Sequence, residues 1–124
     1  MARVADCRPA AAAACWAGMP DFASLRTRIE VLCARCGSPD ARLIVEMEEL
    51  LAEGYVCALR GDHLGRRLQG RLDALTDAGA TSEALRPLVH EQRAVAEATR
   101  ELRAQLAIVH RHWVALGSER LGLA

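Results

Sequence analysis

The chain has 124 residues, which is room for one small domain. Its 16 basic residues, all of them arginine, balance 16 acidic residues, and this neutrality argues against a dedicated binder of nucleic acid or of an acidic membrane. Apolar residues make up 52% of the sequence but aromatic residues only 3%, so the core must be built from leucine, alanine and valine.

The first 20 residues lack a sustained hydrophobic period and contain two prolines and a glycine, so we expect a flexible N-terminal arm at 1–20. The longest apolar run there, which includes Ala10 to Cys15, is far shorter than the roughly 20 residues that a bilayer span needs. Asp6 interrupts any secretory leader. The five cysteines of the chain are unevenly spaced and do not suggest a disulfide framework. We therefore expect a soluble, cytoplasmic protein.

The first helix is predicted at about 21–36, because its apolar residues recur at steps of three and four and so share one face. These residues are Phe22, Leu25, Ile29, Leu32 and Cys36. Gly37 is expected to end the helix, since glycine tolerates the left-handed conformation of a C-terminal cap. Ser38 and Pro39 suit the N-cap and the first turn of a second helix.

The second helix is predicted at about 39–77, where core positions alternate by four and three as in a heptad seam. They are Leu43, Met47, Leu50, Gly54, Cys57, Gly61, Leu64 and Leu68. Gly61 and Asp62 taken alone resemble a turn, but a loop would have no reason to preserve the phase of the seam. We therefore predict one continuous helix, in which the seam shifts by one residue near its end to include Leu72 and Leu75.

Residues 77–81 form the predicted turn, and a third helix follows at about 83–116, closed by Gly117. Its seam alternates three and four without a slip through Leu85, Leu88, Gln92, Val95, Thr99, Leu102, Leu106, Val109, Trp113 and Leu116. Two long helices joined by a short turn predict an all-α antiparallel hairpin, with the first helix as a shorter third member. We expect a single helical domain at 21–117 and a short tail at 118–124.

The second helix has a second apolar flank beside its seam, at positions spaced by seven. The flank consists of Ile44, Leu51, Ala58, Gly65 and Leu72. The short first helix can cover only part of it, so we expect apolar surface to remain for a partner chain. The candidate partner-binding residues are Leu51, Leu72, Leu102, Leu106, Val109 and Trp113. Trp113 is the strongest single anchor, since buried tryptophan dominates interface energetics, although plain packing within the chain explains it equally well.

Cys33 and Cys36 have the spacing of half a zinc site or of a dithiol redox motif. Tetrahedral zinc needs four ligands, and the sequence has no second pair. A redox motif of this type needs a βαβ setting, and no strands are predicted. We therefore interpret both as small apolar core residues, with a metal or redox protein as an alternative. We expect no metal, no cofactor and no enzymatic activity.

Residues 40–116 are similar to flagellar export chaperones of the FlgN and FliT kind. The similarity lies in Glu48-Glu49-Leu50-Leu51, in Ala58-Leu59-Arg60-Gly61-Asp62, and in Leu64, Leu68, Arg71, Leu72 and Leu75. The resemblance implies a cytoplasmic chaperone that holds an amphipathic C-terminal helix of a secreted axial protein until export, by helix-in-groove recognition. The alternative is a homo-oligomeric structural or adaptor bundle, in which the same apolar surface pairs with a second copy.

Overall fold

The structure is a computed structural model that describes residues 22–37 and 40–120, the side chains of residues 119 and 120 excepted. The predicted arm at 1–20 and the predicted cap residues Ser38 and Pro39 lie outside the described residues.

Three helices make up the described part of the chain, and no strand occurs within it. Helix α1 is Phe22–Ala34, followed by a 3₁₀ turn at Arg35–Gly37; α2 is Ala41–Asp77 and α3 is Ser82–Arg120. The predicted all-α architecture, a long hairpin with a shorter N-terminal helix, is confirmed. Helix α2 runs without a break through Gly61, as the preserved phase of its seam predicts. None of the described helices combines the length and the apolarity that crossing a bilayer requires.

Both long helices begin at a side-chain cap. The Asp40 carboxylate accepts a hydrogen bond from the Leu43 backbone N–H at 2.8 Å, so α2 begins after Asp40, two residues later than predicted. The Thr81 hydroxyl oxygen accepts from the Ala84 N–H at 3.1 Å and places the start of α3 at Ser82. Each cap satisfies one backbone donor that a helix N-terminus leaves without an intrahelical partner.

Glycine ends α2 but not α3. Gly79 has a φ of 88°, and its N–H donates to Thr76 while the Ala80 N–H donates to Leu75, both at 3.0 Å. This pair of bonds satisfies carbonyls at the end of α2 and turns the chain toward α3. Gly117 does not adopt a positive φ, and α3 continues through it to Arg120, four residues past the predicted end. Without the left-handed conformation, Gly117 does not provide the glycine cap that would end α3 there.

The described residues group into two compact units. The first, here called the base unit, comprises residues 22–59 without 38 and 39, together with residues 97–120. The second, here called the turn unit, is Arg60–Ala96 and contains the connection between α2 and α3.

The base unit contains a continuous aliphatic core to which all three helices contribute. Its most buried large side chains are Leu25, Leu43, Met47, Leu50, Leu106 and Val109. Arg28 pairs with Glu53 and Arg35 pairs with Glu46, so α1 runs antiparallel to α2. Gly54 lies against Leu106, and Glu48 lies against Trp113. The α2 and α3 segments of this unit are therefore antiparallel as well.

The turn unit is a helical hairpin with a smaller core. Leu68, Leu72 and Val95 are buried in it. The Gln92 side-chain amide donates a hydrogen bond to the Gln69 side-chain carbonyl and so links the two helices of the hairpin. Gln92 lies on the predicted seam of α3, where a polar side chain can fix the register between two helices.

Gly54 marks the closest approach of α2 to α3 in the base unit. A Cβ atom added there would lie 2.5 Å from one methyl group of Leu106, whereas nothing lies within 4 Å of a Cβ added at the exposed Gly70. We expect Gly54→Ala to destabilise the protein by about 1 kcal/mol, since overpacking costs about 1–3 kcal/mol and alanine's helix propensity returns about 1 kcal/mol.

The matched control is Gly70→Ala in the same helix, which should stabilise the protein by about 0.5–1 kcal/mol. Denaturant-induced unfolding of the three proteins measures both effects. Equal gains from the two substitutions would contradict the predicted crowding of the Leu106 side chain by a Cβ atom at Gly54.

Candidate partner-binding surface

The structure places five of the six predicted partner-binding side chains in the interior. Leu102, Leu106 and Val109 lie in the core of the base unit, as does Leu51, and Leu72 is buried in the turn unit. None of the five is more than 8% exposed, so they do not form an open groove in this structure. A partner could reach them only if the core opened, and their proposed binding role stays a prediction.

Trp113 is the sixth predicted residue, and it lies at the edge of the core. Its indole is half-buried against the core of the base unit, and the Nε1–H donates to a Glu48 carboxylate oxygen at 3.2 Å. The His110 ring lies 5.7 Å away and is tilted by 40° to the indole. Both the apolar body and the polar tip of Trp113 therefore have partners within the chain.

A row of uncovered apolar side chains in the base unit lies elsewhere, on the outer face of α2. Val45 is 53% exposed, Val56 is 47% exposed and Leu59 is 62% exposed, and Ala52 between them is also exposed. At about 100° per residue, the four side chains lie within a narrow sector directly opposite the core seam of α2. Tyr55, 41% exposed, borders this sector. We call Val45, Ala52, Tyr55, Val56 and Leu59 the outer stripe.

The outer stripe could have been found from its own periodicity. Val45, Ala52, Val56 and Leu59 recur at steps of seven, four and three, which is the pattern of a second helical face. The longer seam of α2 instead favours the flank of Ile44 and Leu51 beside it as the predicted open surface. In the structure Ile44 and Leu51 are buried, and the apolar side chains that lie opposite the seam of α2 stay exposed.

Acidic side chains surround the outer stripe. Residues 41–59 of α2 contain four glutamates and a single arginine, Arg42. Two of these glutamates are neutralised by α1: Arg28 donates to Glu53 at 2.8 Å, and Arg35 lies 2.6 Å from Glu46. The other two are Glu48 and Glu49, and neither forms an ion pair with an arginine of the described residues. Helical geometry places Glu49 on one side of the row formed by Val45, Ala52, Val56 and Leu59, and Glu48 on the other side, between Leu59 and Tyr55.

The Arg28–Glu53 pair also makes the attachment of α1 dependent on pH. The hydrogen bond from Arg28, together with its positive charge, lowers the pKa of Glu53 below the usual value of 4.5, and the same bond raises the pKa of Arg28. The stabilisation from the pair is therefore present above pH 4.5 and is lost as the pH falls through the lowered pKa of Glu53.

We expect Glu53→Gln to lower the free energy of unfolding by up to about 0.5 kcal/mol at pH 7, because both side chains are about half exposed and solvent screens their attraction. At pH 3 the difference from the unmodified protein should be smaller. Denaturant titrations at the two pH values measure it. The control is Glu97→Gln, which removes an exposed carboxylate of α3 outside this pair. A loss that does not depend on pH would contradict the role of the ion pair.

The cysteines of the described residues lie in or beside the core. Cys57 is buried. Cys33, at the end of α1, and Cys36, in the 3₁₀ turn after it, are half-buried. Burial raises the pKa of both half-buried thiols, and the Cys36 thiol donates to the Leu32 carbonyl at 3.4 Å. A raised pKa disfavours the thiolate, which is the nucleophilic and metal-binding form. The described residues contain no group of three or more side chains placed to hold a metal ion.

Comparison of the whole chain with protein-family models, with curated proteins and with solved structures finds no match. The function of the chain is therefore inferred from the surfaces described above.

Proposed function

We propose that this protein is a non-enzymatic binding protein that holds an amphipathic helix of a partner polypeptide. The observation that carries the proposal is the outer stripe, a row of apolar side chains along one face of α2 and opposite the core. Such a row matches the apolar face of an amphipathic helix, which is read at positions of the same spacing. Contiguous exposed apolar surface of this kind commonly marks a site of interaction with another protein.

The outer stripe supports this function better than the buried residues do. Binding at Leu102, Leu106 and Val109 would first expose core side chains, each of which contributes about 1.5–3 kcal/mol when it is buried. Binding at the outer stripe needs no rearrangement of the core. Ala52 in the middle of the stripe is small, so a partner helix can approach α2 closely there.

For the biological setting we propose a cytoplasmic chaperone for protein export, following the resemblance of residues 40–116 to the FlgN and FliT kind. The client is the amphipathic C-terminal helix of a secreted flagellar axial protein. In this role the protein covers the apolar face of the client helix until export and then releases it. Reversible binding through apolar contacts suits this task, and no covalent chemistry is required.

The test is calorimetric titration of the full chain with synthetic C-terminal helices of flagellar axial proteins. The control is a scrambled peptide of the same composition whose apolar residues no longer share one helical face. We expect saturable one-to-one binding of at least one amphipathic peptide and none of its scrambled counterpart. Absence of binding to every amphipathic peptide tried would contradict the proposed function.

The alternative function, a structural homo-oligomer, uses the same exposed apolar surface. Light scattering separates the two functions, because a holding protein must yield its contacts with a second copy to its partner. A dimer that persists unchanged at saturating peptide would favour the structural function.

A further inference from the structure

The side chains around the outer stripe carry information about the partner that binds there. Glu48 and Glu49 lie on opposite sides of the stripe, and neither has an arginine within ion-pair distance in the described residues. Glu48 accepts a hydrogen bond only from the neutral Trp113 indole. Glu49 contributes to the field that raises the pKa of Arg28 but makes no ion pair with it. The stripe is therefore apolar in the middle, with a carboxylate that forms no ion pair in the described residues on each side, Glu49 lying beside Arg42.

From this arrangement we infer that the outer stripe binds an amphipathic helix that carries lysine or arginine on both sides of its apolar face. The inference rests on the proposed function and specifies the chemistry of its partner. The apolar face of that helix packs on Val45, Val56 and Leu59 and approaches α2 most closely at Ala52. Its basic side chains then face Glu48 and Glu49, which form no ion pair within residues 22–37 and 40–118.

The same margins disfavour the other occupants of an exposed apolar face. A second copy of this chain would bring its own glutamates toward Glu48 and Glu49, so the two acidic margins would repel each other. An anionic membrane surface attracts basic segments, whereas this face has an excess of acidic residues. A helix with acidic margins would meet like charges on both sides of its apolar face. Charge complementarity thus selects the basic amphipathic helix among these occupants.

Two synthetic helical peptides test the inference. Both are 21 residues long with leucine at the same positions of one face; one has lysine on each side of that face, and the other has glutamate there. We expect the lysine peptide to bind the full chain at least about threefold more tightly than the glutamate peptide at low salt. The preference should shrink as salt is added, because screening weakens exposed charge pairs. Equal affinities at low salt would overturn the inference.

Variants of the outer stripe locate the site. We expect the double variant Val56→Asp, Leu59→Asp to weaken binding of the lysine peptide by at least about tenfold, since it removes two apolar contacts. The matched control is Ile108→Asp, Val114→Asp, which alters two exposed apolar side chains of α3 in the same unit and should change binding by less than about twofold. Circular dichroism spectra of the variants test whether each one remains helical. Glu49→Arg should reduce the preference for the lysine peptide.

The outcomes separate this inference from the proposed function. If the lysine peptide binds all variants equally, the outer stripe is not the site, although helix holding stands. If neither peptide binds and the flagellar peptides do not bind either, both proposals fail. If light scattering shows a dimer that Val56→Asp, Leu59→Asp converts to a monomer while no peptide binds, a second copy covers the stripe and the inference is overturned.

Discussion

Replacing Leu106 with alanine should destabilise the protein by about 2–5 kcal/mol, the largest loss that we expect from a single substitution here. Leu106 has no exposed surface and lies against Gly54, at the closest approach of α2 and α3 in the base unit. Truncation removes apolar contacts and leaves a cavity that tightly packed helices can fill only in part. Denaturant-induced unfolding followed by circular dichroism measures the loss.

Leu59→Ala is the matched control in the same unit, because the Leu59 side chain is 62% exposed. It should change the free energy of unfolding by no more than about 0.5 kcal/mol. In the Leu106→Ala protein, Gly54→Ala should no longer cost stability, since the methyl groups that it would meet are gone. Similar losses from Leu106→Ala and Leu59→Ala would contradict the assignment of Leu106 to the core.

Replacing Pro87 with alanine should have the opposite effect and stabilise the turn unit. Pro87 lies inside α3, in its second turn, where it cannot donate a backbone hydrogen bond to Glu83 and its ring crowds that carbonyl. A proline in a helix interior costs about 3 kcal/mol relative to alanine, and the constraint that it places on the unfolded chain returns about 0.4–1 kcal/mol. We expect a net gain of about 1–2 kcal/mol, since the site is close to the helix start.

Thermal and denaturant unfolding of the Pro87→Ala protein measure this gain. The control is Arg86→Ala, which changes the neighbouring exposed residue without altering the backbone and should be neutral within about 0.5 kcal/mol. Unchanged or reduced stability of Pro87→Ala would show that α3 is not a regular helix from Ser82 onward in solution.

The helices could be predicted from the sequence because one signal repeats along their whole length. The seam of α2 keeps its phase through Gly61, so the sequence predicts one continuous helix although Gly61 and Asp62 resemble a turn. The ends depend on single residues and were less predictable. Ser38 and Asp40 are both good N-caps, and only the hydrogen bond from Leu43 identifies Asp40. Gly79 and Gly117 both follow a periodic segment, yet only Gly79 adopts the left-handed conformation.

The candidate site was harder to predict because it depends on tertiary packing. The apolar flank of Ile44 and Leu51 was expected to stay partly open, and the structure buries it. The ion pairs of Arg28 and Arg35 place α1 beside Glu46 and Glu53, which periodicity alone could not reveal. The uncovered apolar face of α2 is therefore the outer stripe, on the side opposite the seam.

Methyl NMR of the full chain titrated with the lysine peptide shows whether a partner helix binds the outer stripe and leaves the core closed. We expect saturable shifts for the methyl groups of Val45, Val56 and Leu59, while those of Leu106 and Val109 stay in place. Large shifts of the two core residues with the stripe methyl groups unchanged would contradict this expectation and would place the binding site in an opened core.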